Sequence, residues 1–261
     1  MLILLPPSEG KTRPARGKPL DLEQLSFPAL RDARQSVLDA LVHVCRSRPA
    51  HALDLLGLSP NQAELIERDA HLDSEPTATA DRVYTGVLYD SLNLRSLDPT
   101  ARRKATRTVV ISSALFGAVR ISDRIPAYRL SAGTTLPRAG ALNSLWRKSL
   151  GPVMTQAMGT GLAVDLRSSP YVAMWRPTRE QAQQVVSVRV LAQHSDGRRI
   201  TVSHFNKSTK GELARALIRD AKTPRTVDAL AEIWSHHGFV VDVPKPAKDG
   251  TSPQLHVITA T

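Results

Sequence analysis

Residues 108–130 read TVVISSALFGAVRISDRIPAYRL, and the fold class follows from this segment. Its first five residues form a β-branched, largely apolar run that predicts a strand buried on both faces. Polar side chains begin where this strand ends, at Ser112 and Ser113, and continue through Arg120 to Arg129. In α/β sheets, ligands bind outside the carboxyl ends of the strands. The segment therefore predicts an α/β fold with functional groups just beyond this strand.

The rest of the chain supplies further strands and helices for the same domain. Apolar runs and alternation predict strands at residues 1–5, 82–89, 163–166, 185–192 and 199–205, the last two joined as a hairpin across 195–197. Helical apolar spacing predicts helices at residues 29–45, 142–158, 209–221 and 227–237. Together these elements predict one compact domain of mixed α+β type around a mixed sheet.

The domain is expected to span residues 1–243. Residues 244–261 form a Pro- and Lys-containing extension that ends in LHVITAT, a sequence suited to an edge strand. The chain contains no internal repeat and no clear linker, so we expect no second domain.

Residues 54–69 predict two helices joined by a tight turn. Gly57 permits the left-handed backbone of the turn, Ser59 can cap the second helix, and Pro60 suits its first turn. This pattern fits a helix-hairpin-helix element that offers backbone N–H groups to a DNA phosphate. A plain αα-hairpin with a glycine turn fits equally well.

The charge balance points to polyanionic partners. The chain has 35 Lys plus Arg against 24 Asp plus Glu, a formal net charge of +11. Such a surplus suits nucleic acid or phosphorylated metabolites, although solvated surface arginines give the same total. One cysteine, Cys45, cannot form an internal disulfide, and no segment is long and apolar enough to span a bilayer. We therefore expect a cytoplasmic protein without a membrane partner.

A basic loop follows the first predicted strand. The sequence Gly10-Lys11-Thr12 suggests a phosphate-binding loop, but that motif requires glycine where Leu5 stands. A nucleoside triphosphatase is therefore disfavoured. Lys11 remains a candidate anion ligand, because a loop outside a strand end is the usual position of a ligand crevice.

Three arginines lie in one short segment that follows the strand at 108–112. Arg120, Arg124 and Arg129 can each fork onto a phosphate or carboxylate. An internal salt-bridge network around Asp123 is the alternative interpretation. Both interpretations are compatible, since an arginine held by an aspartate is already oriented toward a phosphate.

A second basic cluster is predicted at the start of the helix at 209–221. Thr209 and Glu212 fit a capping box, which places Lys207 and Lys210 beside a helix N-terminus that attracts anions. Arg215 lies on the same face of the predicted helix as Glu212. The alternative is a pair of exposed lysines beside an ordinary capped helix.

Other chemistry is disfavoured by the motifs that the sequence lacks. Residues 165–171 (DLRSSPY) follow a predicted strand, but the nucleophile elbow G-x-S-x-G is absent. No histidine lies at a sequence distance from the serines that would indicate a catalytic base. The eight histidines show no metal-ligand spacing. We expect neither a metal nor a cofactor.

Several motifs, taken together, resemble the YaaA peroxide-stress family in order and spacing from residue 1 to about residue 239. They are MLILLPPSEGKT at the start, VYTG at 83–86, SALFGAVRISDRIPAYRL at 113–130, LW at 145–146, DLRSSPY at 165–171 and HFNKSTKGELARALI at 204–218. The resemblance implies a fold peculiar to that family, with a basic cleft, a helix-hairpin-helix element and binding to duplex or irregular DNA. It implies a role in surviving hydrogen peroxide by limiting free iron and the DNA damage that iron causes. The implied cleft residues are Lys11, Arg120, Arg124, Arg129, Lys207, Lys210 and Arg215, with the hairpin at Gly57 and Ser59.

Three functions are carried forward. The leading hypothesis is a non-enzymatic DNA-binding protein that relies on phosphate contacts and has little sequence preference. The alternative is an enzyme acting on a phosphorylated or nucleotide-like small molecule, with Lys11, Lys207 and the arginines holding the anion and Ser112, Asp165 or Tyr128 in proton transfer. The third, an iron-sequestering protein, is disfavoured by the absence of ligand clusters. An open groove favours the first hypothesis and an enclosed pocket the second.

Overall fold

A computed structural model describes residues 1–193, 198–201, 205–244 and 251–260. The strands form one eight-stranded mixed sheet and two small two-stranded sheets. They are β1 Leu2–Leu5, β2 Ala78–Thr79, β3 Val109–Ser113, β4 Gly117–Arg120, β5 Arg124–Ile125, β6 Thr135–Leu136, β7 Gly140–Ala141, β8 Ala163–Asp165, β9 Val185–Gln193, β10 Arg199–Thr201, β11 Val240–Asp242 and β12 Gln254–Ala260.

β1 lies inside the large sheet with a parallel neighbour on each side. The strand order is β11-β12-β9-β8-β1-β3-β4, and β10 also pairs with β9. The pairs β1–β3, β1–β8, β8–β9 and β9–β12 are parallel, whereas β3–β4, β9–β10 and β11–β12 are antiparallel. Every residue of β1, β3 and β8 is buried, so both faces of this part of the sheet are covered. The predicted mixed sheet is confirmed.

This strand order creates a switch point beside β1. The chain leaves β1, returns as β3 on one side of it, and later returns as β8 on the other. Connections from two such neighbours diverge, and a crevice opens outside their carboxyl ends. The loops that follow β1 and β8 therefore meet at the edge of the sheet.

The helices fall into two groups by their contacts. α1 contacts α2, α3 and α7, whereas α9 contacts α5, α6 and α10. The helices are α1 Arg31–Ser47, α2 Pro49–Leu55, α3 Ala63–Asp69, α4 Ala80–Val83, α5 Val87–Leu92, α6 Pro99–Thr108, α7 Leu142–Met158, α8 Ser169–Val172, α9 Phe205–Arg219 and α10 Val227–His236.

Most predicted elements are present at nearly the predicted positions. The strands at 1–5, 108–112, 163–166 and 185–192 and the helices at 29–45, 142–158 and 227–237 differ by at most about two residues from β1, β3, β8, β9, α1, α7 and α10. Two helices, α2 and α3, flank the turn at 56–59, where Gly57 has a φ of 63°. The turn requires the left-handed conformation that the sequence predicted for this glycine.

The predicted strand at 82–89 is wrong. This segment contains α4 and α5, separated at Gly86, which has a φ of 91°. Its buried side chains are Val83, Tyr84, Leu88 and Tyr89, and the flanking Ala80 and Leu92 are also buried. Their spacing is that of a helical face, and the aromatic and β-branched residues there reflect burial rather than strand pairing.

Two predictions near the C-terminus also need correction. α9 begins at Phe205, not at Thr209, so Thr209 lies buried in the second turn and is not a cap. The strand predicted at 199–205 is present as β10 over Arg199–Thr201 and pairs with β9, whereas residues 202–204 and the hairpin turn at 195–197 lie outside the described residues. The C-terminal strand exists as β12, but it lies between β9 and β11 rather than at the edge of the sheet.

The β3–β4 hairpin is fixed by two long side chains from the helices. The Arg34 guanidinium is buried and donates from Nε to the Phe116 carbonyl oxygen at 3.0 Å. Trp146 Nε1 donates to the Ala114 carbonyl oxygen at 2.7 Å, and its ring packs on Gly117, which has a φ of 72°. The hairpin that leads from β3 into the arginine-rich segment is therefore held rigidly.

Candidate functional site

A cavity of about 690 Å³ lies at the crevice beside β1 and β8. We call it the lysine pocket, because Lys11, Lys207 and Lys210 line it together with Arg129. Its size falls within the range of small-molecule sites. The walls come from residues 6–11, 85–89 and 129–133, from the segment 166–171, and from the first two turns of α9.

Lys11 projects from the loop that follows β1. Its Nζ donates to the carbonyl oxygens of Ser8 at 2.7 Å and Glu9 at 3.4 Å. The same nitrogen lies 4.3 Å from the centroid of the Tyr128 ring. Burial lowers the pKa of Lys11 to about 7, and the charge of Asp69 opposes this effect. At neutral pH about half of the Lys11 side chains are uncharged, whereas an ordinary lysine is almost fully protonated.

Asp69, the last residue of α3, is a buried acid close to this amine. Its two carboxylate oxygens accept hydrogen bonds from the Arg129 backbone N–H at 3.1 and 3.0 Å. Burial raises the pKa of Asp69 to about 7, although the nearby Arg68 guanidinium acts in the opposite direction. Lys11 and Asp69 therefore titrate as an interacting pair.

Replacing Asp69 by asparagine is expected to lower the pKa of Lys11 below about 7. The amide oxygen can still accept the Arg129 N–H, but the negative charge that favours the protonated amine is gone. An NMR titration of the lysine side-chain carbons measures the shift. Asp73→Asn is the matched control, because Asp73 is exposed and pairs with Arg46. An unchanged pKa in Asp69→Asn would show that the two groups do not interact.

Lys210 forms part of the opposite wall. It is buried, and its Nζ donates to the Arg167 carbonyl oxygen at 3.2 Å. Burial lowers the pKa of Lys210, and Asp165 opposes the change. Asp165 in turn forms a buried ion pair with Arg167, with its Oδ2 2.7 Å from the guanidinium. The loop after β8 and the start of α9 are thus joined through charged groups.

Asn206 contributes an unsatisfied polar atom to the lysine pocket. Its Oδ1 is buried and accepts no hydrogen bond from any described residue. Buried side-chain oxygens are normally paired in folded proteins. The oxygen has almost no solvent-accessible surface, so it lies within the wall of the lysine pocket rather than on its surface.

The three proton-transfer groups named from sequence lie behind the wall of the lysine pocket rather than on it. Tyr128 is buried, with its hydroxyl 2.9 Å from that of Tyr84 and 2.7 Å from Ser113 Oγ. Asp165 is engaged by Arg167, and Ser112 is buried in β3. Tyr128 contacts a pocket residue, because the Lys11 Nζ lies 4.3 Å from the centroid of the Tyr128 ring.

A second cavity, an open groove of about 1070 Å³, begins at the next residue of the same loop. Lys11 lines the lysine pocket and Thr12 lines the groove. We call it the arginine groove after the six arginines that line it, Arg13, Arg16, Arg82, Arg95, Arg102 and Arg124.

The six arginines differ in their partners. Arg13 forms two hydrogen bonds to Glu75 at 2.8 and 2.6 Å, Arg102 pairs with Asp81 at 2.6 Å, and Arg124 donates to the Thr77 carbonyl oxygen at 2.7 Å. Within the described part of the chain, the remaining three form no hydrogen bond or ion pair and are exposed; they are Arg16, Arg82 and Arg95. The groove therefore holds a surplus of unpaired positive charge.

The residues predicted for one cleft are divided among separate places. Lys11, Arg129, Lys207 and Lys210 meet in the lysine pocket, and Arg124 lies in the arginine groove. Two others line neither cavity and have structural contacts. The Arg120 guanidinium lies 5.1 Å from the Phe27 ring centroid, and Arg215 donates to the carbonyl oxygens of Leu92 and Asn93 at 2.9 and 2.8 Å, at the end of α5.

Gly57 and Ser59 lie in the α2–α3 turn, where the backbone donors have internal partners. The N–H groups of Gly57 and Leu58 donate to carbonyl oxygens of α2, at 3.1 and 2.9 Å. The Ser59 N–H donates to the Gln62 side-chain oxygen at 3.1 Å. In this conformation these three groups are already occupied.

Sequence reasoning missed several residues of both cavities. Asp69 ends a helix that reads as ordinary, and Asn206 lies between Phe205 and the more conspicuous Lys207. The exposed groove arginines are distant in sequence, with Arg82 lying 66 positions after Arg16 and Arg95 a further 13 positions on, so their convergence depends on tertiary structure. The useful signal was the polar and charged residues that directly follow strand ends. This signal identified loops that line the lysine pocket.

Searches of the described residues for two other kinds of site found neither. No cluster of three or more histidine, cysteine, aspartate or glutamate side chains is placed to hold a metal ion within residues 1–193, 198–201, 205–244 and 251–260. Over the same ranges, no helix has the length and apolar character needed to cross a membrane.

The fold and its cavities define an α/β protein with a lysine-lined pocket at a sheet switch point and an arginine-lined groove beside it. Residues 1–243 match the family model described as peroxide stress protein YaaA. The chain is 43% identical to a UPF0246 protein of Streptomyces coelicolor, over 99% of this chain and 98% of that protein. It is 40% identical to a UPF0246 protein of Corynebacterium efficiens, over 95% of this chain and 98% of that relative. The chain belongs to the YaaA peroxide-stress family.

Proposed function

We propose that this member of the peroxide-stress family binds DNA by holding its phosphate backbone in the arginine groove. The observation that carries the proposal is the set of exposed arginines that have no partner among the described residues, which lie with three further arginines in one open groove. Arginine binds phosphate through two parallel hydrogen bonds, and an open groove can accept a long polyanion. Contacts of this kind give affinity with little sequence preference.

The α2–α3 turn is a weaker candidate for phosphate binding. Its backbone N–H groups at Gly57 and Leu58 already donate within the hairpin. A phosphate would have to displace these internal bonds, and an internal bond is worth about 0.5–1.5 kcal/mol. We therefore place the main DNA contacts in the arginine groove and assign the hairpin a supporting role.

Phosphate binding offers a physical route to protection from iron. DNA carries a condensed layer of cations, and each arginine that neutralises a phosphate releases some of them. We propose that occupancy of DNA by this protein displaces ferrous ions from the backbone. Hydroxyl radicals formed from peroxide and iron then arise farther from the DNA.

Replacing the three unpaired groove arginines by glutamine is expected to weaken DNA binding and to flatten its salt dependence. If each arginine contacts one phosphate, the slope of log affinity against log salt concentration falls by about 2–3 in Arg16→Gln/Arg82→Gln/Arg95→Gln. Fluorescence anisotropy with labelled duplex and bulged DNA across a salt series measures it.

The matched control removes three exposed arginines elsewhere, Arg176, Arg179 and Arg225, which line neither cavity. This control variant keeps the net charge of the groove variant, so a general charge effect would lower both slopes equally. Equal slopes in the two variants, or no binding by the parent protein at ~50 mM salt, would contradict the proposal.

A second candidate function is supported by the enclosure of the lysine pocket. Four basic residues converge on a cavity of about 690 Å³, which suits a small anionic molecule better than a duplex. This candidate is an enzyme or binding protein for a phosphorylated or nucleotide-like compound. Thermal unfolding in the presence of such compounds tests it, because a ligand that binds only the folded state stabilises it by RT ln(1 + [L]/Kd) and so raises Tm as its concentration rises.

A further inference from the structure

Lys11 has the environment of a nucleophilic amine. It lies in a cavity, and a lysine nitrogen attacks only when it is unprotonated. A neutral amine has two N–H donors, and the carbonyl oxygens of Ser8 and Glu9, at 2.7 and 3.4 Å, can accept both. The nitrogen lone pair is then left for an electrophile in the pocket.

The rest of the lysine pocket selects for an anionic ligand. Lys207 and Arg129 line it beside the first turn of α9, whose dipole also attracts negative charge. These groups suit a phosphorylated sugar, and an open-chain sugar carries the carbonyl that an amine attacks.

We propose that Lys11 forms an imine with the carbonyl carbon of a sugar phosphate bound in the lysine pocket. The amine nitrogen adds to the carbonyl to give a carbinolamine, and loss of water gives the C=N bond. Both amine protons leave with the carbonyl oxygen as that water molecule, so the step needs no other reactant. Hydrolysis by water restores the lysine and the carbonyl. The inference rests on the second candidate function, the pocket for a small anion.

Two sources can supply this chemistry. One is a soluble aldose phosphate. The other is the deoxyribose of an abasic site in DNA, which is an aldehyde between phosphates. Lys11 lines the lysine pocket and the next residue, Thr12, lines the arginine groove. Because the two cavities are neighbours, a DNA aldehyde and a soluble aldose phosphate are both tested as ligands.

The pH dependence follows from the groups around Lys11. Burial and the charges of Arg129 and Arg68 lower its pKa to about 7, and Asp69 and Glu9 oppose them. At pH 7 the neutral fraction of Lys11 therefore exceeds that of an ordinary exposed lysine. We therefore expect adducts at Lys11 to form with a midpoint near pH 7, while exposed lysines react appreciably only at higher pH.

The test is reductive trapping of the full-length protein with sodium cyanoborohydride. Three carbonyl probes are used in separate arms: ribose 5-phosphate, a duplex with one abasic site, and pyridoxal 5-phosphate as a general phosphorylated aldehyde. Peptide mapping by mass spectrometry locates the adduct. The expected result is an adduct at Lys11 from the first or second probe, formed at least about tenfold faster than at any exposed lysine.

The variants separate reactivity from folding. Lys11→Arg retains a positive charge but cannot form an imine, and it is expected to lose the adduct completely. Arg129→Leu retains the amine and is expected to slow trapping of phosphorylated probes more than that of unphosphorylated ribose. Lys207→Ala also removes a pocket cation while retaining the Lys11 amine. Because Lys207 is exposed, this substitution is not expected to disturb folding.

Each outcome of the trapping experiment supports or overturns the proposal. Trapping of abasic DNA alone, or of ribose 5-phosphate alone, supports it and identifies the source. Adducts spread evenly over exposed lysines such as Lys18, Lys148 and Lys222, or no adduct with ribose 5-phosphate or abasic DNA, would overturn it. Because the adduct is mapped on the parent protein, the result holds even if Lys11→Arg does not fold. Binding of intact duplex by the arginine groove is measured separately, so failure of one proposal is distinguishable from failure of the other.

Discussion

Asp165→Ala is expected to lower the free energy of unfolding by about 3–5 kcal/mol. Asp165 accepts hydrogen bonds from Arg167 Nε at 2.9 Å and from a terminal guanidinium nitrogen at 2.7 Å, and both side chains are almost completely buried. Without the carboxylate, the guanidinium keeps the carbonyl oxygens of Tyr171 and Trp175 but has no opposite charge. A buried, uncompensated charge is among the most destabilising outcomes of a single substitution.

Urea unfolding measures the loss, and an unchanged m-value shows that the change is in stability. The matched control is Asp242→Ala, which removes an ion pair with Arg199 of the same 2.7 Å length whose side chains are about half exposed. We expect the control to cost at most about 1 kcal/mol. Equal losses in the two variants would mean that burial of the Asp165–Arg167 pair has no energetic consequence.

Gly117→Ala is expected to destabilise the protein by about 3–4 kcal/mol, the sum of a backbone cost and a packing cost. The φ of 72° strains any residue with a Cβ, and that Cβ would lie 2.6 Å from two ring carbons of Trp146. Trp146 is fully buried and fixed by its hydrogen bond to Ala114, so the ring cannot move aside cheaply.

Gly57→Ala is the matched control for the packing contribution. Gly57 has a similar φ of 63°, but no heavy atom of the described residues lies within 4 Å of the Cβ position. We expect a loss of about 1–2 kcal/mol there, from backbone strain alone. Thermal or urea unfolding of both variants separates the two costs, and a smaller loss at Gly117 than at Gly57 would contradict the packing argument.

The sheet was largely predictable because its central strands have a strong local signal. MLILL, TVVIS and AVDL are short apolar runs ended by polar or proline residues, which suits strands buried on both faces. The segment at 82–89 was predicted wrongly because its buried residues are aromatic and β-branched. A glycine at a φ of 91° divides it into two short helices, and composition alone does not reveal that turn.

The candidate site was predictable in part, for the same reason. Lys11, Lys207, Lys210 and Arg129 were recognisable, because strand ends and conspicuous charge marked their segments. The burial of the Lys11 amine could not be predicted from the sequence. Burial lowers the pKa of the Lys11 amine to about 7, well below that of an ordinary lysine. The separation of the pocket from the arginine groove also depends on tertiary contacts between segments far apart in sequence.

One loop is common to both cavities, since residues 6–11 line the lysine pocket and residues 12–16 line the arginine groove. A molecule bound at either place rests on this loop, which Thr85 and Tyr84 tie to the neighbouring helices. If occupancy of one cavity shifts the loop, the affinity at the other changes, and thermodynamic reciprocity requires the same factor in both directions. The ratio of pocket affinities with and without DNA then reports how the two ligands communicate.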